Sequence, residues 1–351
     1  KNNNKLKNNN KLKNNIKVPL CLTNNKQNIW IYIEKTYNSL YWPSFGSRLT
    51  LNNVETYIQL CIQTIKLHCE KDFNINIIHP DNINIFIPDL KIDMSPNSKI
   101  PLHKRIDYIS FNLLYLYGGI WMMPSTILFK NLNFLNDLLE TNDMICFGSP
   151  PEYYKQCIAL FKPERNVLLC KKNLPIMKNC CMDILKEIKS YNYPAYDFNQ
   201  DANQILWINI KKEIFANNLK VLHLNCEFNG ARDFNNSLIT TENLMSHNIT
   251  KFPDEEKIIF CSLNNKDLNE KLEFKWLLRM NSTQILNSNL WIGLLFRKAL
   301  NKKNYYYYTN NYNTNLPKEP ITKPVINIEE LDTLLYNSNY FSSPVWNEIY
   351  K

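Results

Sequence analysis

Residues 107–126 read Asp107-Tyr-Ile-Ser-Phe-Asn-Leu-Leu-Tyr-Leu-Tyr117-Gly118-Gly119-Ile-Trp-Met-Met123-Pro-Ser125-Thr126. Apolar residues crowd Ile106 to Tyr117 at helical spacing, a glycine pair breaks the pattern, and Ile120 to Met123 resumes as a short apolar strand. Tyr108 to Phe129 carries no charge and lies between Asp107 and Lys130, so a membrane span is the rival reading. The central Gly-Gly, Pro124 and the polar Ser110, Asn112, Ser125 and Thr126 oppose it. A buried helix followed by a central parallel strand gives the same uncharged run.

The neighbouring segments alternate in the same way. Ile29 to Ile33 is a short apolar strand, Asn53 to Cys69 is amphipathic at helical period, and Phe73 to Ile78 is a strand closed by the turn His79-Pro80-Asp81-Asn82. Downstream, Met144 to Phe147, Ala159 to Phe161 and Val221 to Leu224 read as strands, and Leu174 to Ser190, Ala202 to Phe215 and Leu272 to Ala299 as helices. This alternation predicts one α/β domain with a mostly parallel sheet, helices on both faces, and ligands at the carboxyl ends of the strands.

The boundaries follow from composition. Residues 1–27 hold a KNNNKL repeat and seven lysines with no acid, a low-complexity tail. Residues 28–300 form the domain, 301–325 an Asn/Tyr/Pro-rich linker, and 326–351 a C-terminal extension with a short helical pattern. The tail accounts for most of the net charge of +9. The nearly balanced body argues against a nucleic-acid groove, which needs clustered Lys/Arg on a folded face. Ten scattered cysteines show no CxxC pair and no zinc spacing, which favours buried thiols in a reducing compartment. The sequons at Asn235, Asn248 and Asn281 leave the secretory pathway open, and the first residue, Lys1, is compatible with an upstream membrane anchor. Heavy use of Asn, Lys, Ile and Tyr with only six glycines is the bias of an AT-rich genome.

The segment Asp107 to Thr126 resembles the region around the DXD motif of sugar-nucleotide glycosyltransferases, especially the capsular-polysaccharide-synthesis family and the related DXD sugar-transferase family. Tyr117-Gly118-Gly119-Ile120-Trp121 matches throughout, and Asp107 falls on the helix aspartate. Ile29 to Tyr32, Cys61 to His68, Phe73 to Asn82 and Ala159 to Asn166 resemble further blocks of those enzymes. Phe45-Gly46-Ser47-Arg48 and Phe274 to Ser288 resemble glycosyltransferase-like proteins of large DNA viruses. The resemblance implies a GT-A-like (Rossmann-like) nucleotide-sugar-binding domain, a nucleoside-diphosphate sugar as donor, and a glycan or glycoprotein as acceptor. A viral protein of this kind would sit in the host cytoplasm or the virion.

The chain departs from the pattern where the chemistry is concentrated. The family's two motif aspartates fall on Met123 and Ser125, and its helix arginine on Ser110. In the family the acidic pair holds Mn²⁺ or Mg²⁺ against the donor's diphosphate; a thioether does not ligate a hard cation. Metal ligands are therefore missing. Lys and Arg can neutralise a diphosphate instead, with Arg48, Lys104 and Arg105 as candidates by position. Ser125 could hydrogen-bond a phosphate, Gly118 and Gly119 would bring backbone close to the donor, and Asp107 would bond ribose or sugar hydroxyls or else steady the helix dipole. Trp30 would stack on the base or lie in the core. Asp197 and Asp201 are the acids placed to face the sugar, the alternative being that Asp197 or Asn199 caps the helix beginning near Ala202. These expectations leave two readings, a transferase that works without a metal and a catalytically inactive binding or structural protein such as a virion component.

Overall fold

A computed structural model describes residues 26–34, 54–95, 98–148, 163–190, 202–215 and 219–301. The tail through residue 25, the linker from residue 302 and the C-terminal extension lie outside them.

The elements run β1 (Gln27–Tyr32), α1 (Thr56–Cys69), β2 (Phe73–Ile78), α2 (Leu102–Tyr117), β3 (Gly119–Met122), β4 (Thr126–Leu128), α3 (Asn133–Thr141), β5 (Met144–Phe147), β6 (Glu164–Cys170), α4 (Pro175–Ser190), α5 (Ala202–Phe215), β7 (Val221–Leu224), β8 (Phe260–Ser262), α6 (Asn265–Glu270), α7 (Ser282–Asn287) and α8 (Trp291–Ala299), with single helical turns between some of them. Six strands form one sheet in the order β2-β1-β3-β6-β5-β7. All run parallel except β6, which is antiparallel to both its neighbours. The mostly parallel α/β sheet expected from the sequence is therefore present. A separate antiparallel pair, β4 with β8, was not expected.

The period-2 geometry of strands distributes the sheet's side chains between two layers. Trp30, Tyr32, Trp121, Cys146 and Leu168 point to the layer containing α2, α4 and α5. Ile29, Ile31, Ile120, Met122, Ile145 and Val167 point to the opposite layer, with Ile65 and Cys69 of α1 and Leu135 and Leu139 of α3. Both faces are covered, which is why the strands read as continuous apolar runs. A third cluster joins the other side of α1 to α7, α8 and the β4–β8 pair.

At the glycine pair α2 stops and β3 starts. Gly118 has φ +66° and Gly119 φ +93°, in the region that L side chains rarely adopt. The Gly118 amide closes the helix on Leu114 O at 2.9 Å. A Cβ on Gly118 would meet Lys172 N at 2.6 Å, and one on Gly119 would overlap the Asn28 carbonyl of β1. Both residues are glycine because neighbouring backbone occupies the space of a side chain. The uncharged run is thus a helix and two strands, and no helix among the described residues is long and apolar enough to cross a membrane.

One expected element differs. Leu272 to Ala299 is not one helix: short 3₁₀ turns lead to α7 and α8, which are separated by Ser288 to Leu290. Asn281 caps α7 by accepting from Gln284 N, so the chain restarts a helix there instead of continuing one. The strand β6, beginning at Glu164, was not expected, and the strand expected at Ala159 to Phe161 lies outside the described residues. The eight described cysteines are unpaired thiols, all buried except Cys226, which is partly so.

Candidate functional site

The carboxyl ends of β1, β2 and β3 lie on one edge of the sheet, joined there by the amino end of the reversed β6. A cleft of about 420 Å³ opens at the β1 and β2 end of this edge, lined by Glu34, Pro80, Asp81, Asn84, Ile92, Asp93, Met94 and Ser95 among others. Its shape is set by short-range polar bonds. Asn82 accepts from the His79 amide at 2.8 Å and donates to Ile77 O at 3.0 Å, folding the turn after β2 back on its strand. Asp93 accepts from the amide and hydroxyl of Ser95, at 2.8 and 2.9 Å, and these two bonds hold its carboxyl below the usual range. The Tyr32 phenol donates to Glu34, and burial, followed by that carboxylate, raises its pKa.

Three ion pairs tie the start of α2 to this edge. Lys104 meets Glu187 of α4 at 2.6 Å, Arg105 faces Glu34 beyond β1 at 3.6 Å, and Asp107 pairs with Arg165 at the start of β6. Lys104 and Asp107 are each 1% exposed, so their charges are sustained by their partners. Two of the three cations expected to stand in for a metal, Lys104 and Arg105, are therefore already matched by carboxylates. Asp107 makes a buried ion pair where ribose contact was expected.

The other candidates are placed as follows. Trp30 is wholly buried between Phe86 and Tyr117, and its indole donates to Gly118 O at 2.8 Å, so it occupies the core position. Gly118 and Gly119 lie at the amino end of β3, the opposite edge of the sheet from the cleft; they shape the fold and do not approach a ligand at the carboxyl edge. Ser125 is buried, donates to Leu263 O at 3.1 Å, and accepts the Leu263 amide on its own carbonyl at 2.9 Å. Ser110 donates to Asp107 O within the helix at 2.8 Å. Arg48, Asp197 and Asp201 lie outside the described residues.

Met123 and Ser125 do not fit a hard divalent cation: one offers a thioether, and the other has its hydroxyl engaged with a carbonyl. Among the described residues no three His, Cys, Asp or Glu side chains gather as a metal site. Arg165 was missed from the sequence. Its signal was the charged Glu164-Arg165 pair immediately before the apolar run Val167 to Cys170, which was not read as a strand.

Among solved structures, the chain is similar to the apo form of the glycosyltransferase GlyE of Streptococcus pneumoniae TIGR4, at 13% identity over 59% of this chain and 47% of that one, with a TM-score of 0.32. A second GlyE structure gives 12% identity, 81% and 66% coverage, and 0.39. The galactosyltransferase LgtC, in complex with donor and acceptor sugar analogues, gives 16%, 57% and 74%, and 0.32. The chain thus spans about half the length of apo GlyE, and these likenesses are too loose to place a residue. No curated protein matches the chain by sequence. The family model described as capsular polysaccharide synthesis protein matches residues 50–231, which run from before α1 to just beyond β7. That match takes in just over half of the sequence, and the chain belongs to the capsular polysaccharide synthesis protein family.

Proposed function

We propose that the chain is a glycosyltransferase that takes a nucleoside-diphosphate sugar at the carboxyl edge of its parallel strands and passes the sugar to a glycan or protein acceptor, with side-chain cations in place of a metal. The observation that supports this best is the cleft beyond β1 and β2, which adjoins the Arg105–Glu34 pair at the start of α2. Ligands of open α/β sheets bind at this edge, outside the carboxyl ends of the strands. The carboxylates of Glu34, Asp81 and Asp93 suit hydroxyl and N–H donors, which a nucleoside supplies. Buried thiols, none paired among the described residues, support a reducing compartment such as the host cytoplasm or a virion.

One observation favours the second reading, a protein that binds without turnover: the Ser125 hydroxyl is used to hold the β4–β8 region. A thermal-shift series with UDP-, GDP- and CMP-sugars, with and without Mn²⁺, separates the cases when combined with an assay for released nucleoside diphosphate. A ligand at 100 times its Kd adds about 2.7 kcal/mol of stability. Stabilisation with release supports the enzyme, and stabilisation without release supports the binding protein. A flat response to every donor eliminates both.

A further inference from the structure

Charge at the carboxyl edge is divided along its length. On the β1–β2 side the cleft carries Glu34, Asp81 and Asp93, with Arg105 as the cation facing Glu34. On the β3–β6 side three elements bring up basic groups, beside Glu164, which accepts from Asn229, and Asp107, which pairs with Arg165. His103 is exposed on the first turn of α2, whose start has no side-chain cap, so the positive end of the helix dipole adds to the field there. Arg165 is at the start of β6 and keeps 23% of its side chain exposed while paired to Asp107. Lys266 is exposed on α6 and makes no ion pair among the described residues. Its place is fixed by the reciprocal Ser125–Leu263 bonds, which set residues 264–266 beside the chain leaving β3. Only β3 separates β1 from β6, so the acidic and basic sides are about 10 Å apart at about 4.8 Å per strand. That is the scale of the step from a nucleoside to its phosphates.

We infer that His103, Arg165 and Lys266 form a diphosphate-binding wall, in which Lys266, brought up beside Ser125, supplies the free positive charge. The inference rests on the nucleotide-sugar reading and gives the donor a direction: nucleoside in the acidic cleft, phosphates toward β6. Lys104 and Arg105 are excluded from the role, because their paired side chains are buried, 1% and 8% exposed, whereas Arg165 keeps an open side while paired. The three side chains also act on one another. Although its residue is exposed, the His103 imidazole is partly desolvated, which depresses it first, followed by the charges of Lys104, Arg165 and Lys266. An anion placed among them relieves that repulsion.

The test is calorimetric titration of the full chain with inorganic pyrophosphate, with UDP and GDP, and with the free nucleosides, all in excess EDTA. Lys266→Ala and His103→Gln change exposed residues and preserve the Asp107–Arg165 pair, so both variants keep the fold; melting curves verify this. The expected result is chelator-resistant pyrophosphate and diphosphate binding, weakened about five- to tenfold by Lys266→Ala, with a shallower salt dependence and unchanged nucleoside binding. Diphosphate binding that is equal in the wild type and the double variant overturns the inference and leaves the nucleotide-sugar reading in place. Binding abolished by EDTA overturns it in favour of a metal. Failure of UDP, GDP and pyrophosphate all to bind overturns the wall and the donor reading together.

Discussion

Asp107 of α2 and Arg165 of β6 form an ion pair between a residue almost fully enclosed and one partly open to solvent, so the helix is fastened to the reversed strand at the edge where β1 to β3 have their carboxyl ends. Asp107→Asn keeps the shape and removes the charge. Removing one partner of a buried pair costs about 3–5 kcal/mol, and the exposure of Arg165 reduces this to about 2–3. Urea denaturation of Asp107→Asn, and of Asp107→Asn with Arg165→Gln, measures the effect: the single variant loses stability and the double regains part of it. An unchanged midpoint in the single variant would remove the pair from any structural role.

Lys104 and Glu187 are expected to behave likewise inside the α2–α4 layer. Lys104→Met alone strands a carboxylate that is 19% exposed and costs about 3 kcal/mol, whereas Lys104→Met with Glu187→Leu restores most of it. The double-mutant cycle reads this coupling directly, and additivity of the two changes contradicts it.

Gly119→Ala combines a positive φ with overlap against the Asn28 carbonyl in the neighbouring strand. The expected loss is about 3 kcal/mol or more, from strain and displacement of β1. A melting temperature within a degree or two of wild type would show that the β1–β3 register gives way easily.

Ser125→Asp and Met123→Asp together put two carboxylates at the exit of β3. The carboxylate that replaces the Ser125 hydroxyl would face the Leu263 carbonyl, acceptor against acceptor, so the double variant loses about 2–4 kcal/mol. Mn²⁺ recovers part of that loss by drawing the two carboxylates together. Melts in Mn²⁺ and in EDTA provide the check, and identical curves would show that the two positions do not share a metal-sized site.

His223 of β7 is buried, and desolvation holds its imidazole well below the ordinary 6.5. Below that pH the unfolded chain takes up a proton that the folded chain refuses, so stability falls on acidification by up to about 1.4 kcal/mol per pH unit. His68 and His103 are depressed in the same direction. His223→Leu flattens the slope below pH 6.5 in denaturation series at stepped pH; an unaltered slope refutes the assignment.

The parallel core was legible because Ile29 to Tyr32 and Met144 to Phe147 are buried on both faces and leave unbroken apolar runs, while Phe73 to Ile78, at the edge of the sheet, alternates with Asn74 and Asn76 and reads as a strand by its period. The glycine pair was legible as a break, but its place was not. Sequence order cannot reveal that this turn sits at the amino edge of the sheet, opposite the cleft. Trp30 as a core residue and Asp107 as an ion-pair partner depend on contacts with Gly118 and Arg165, far along the chain. The β4–β8 pair was hidden for the same reason, since Thr126 and Ser262 are strand partners only across the fold. Lys266 could have been found only by seeing where Ser125 meets Leu263.

The strand order has a kinetic consequence. No two neighbours in the six-stranded sheet are joined by a tight hairpin: Ile29 waits for Ile120, Gly119 for Cys170, and Met144 for Val221. Each pairing closes a long loop before it is rewarded, which slows folding and leaves strand edges open meanwhile. β1 is made first and spends that interval with an apolar edge unprotected, so low temperature and slow synthesis will favour recovery of native protein over aggregate.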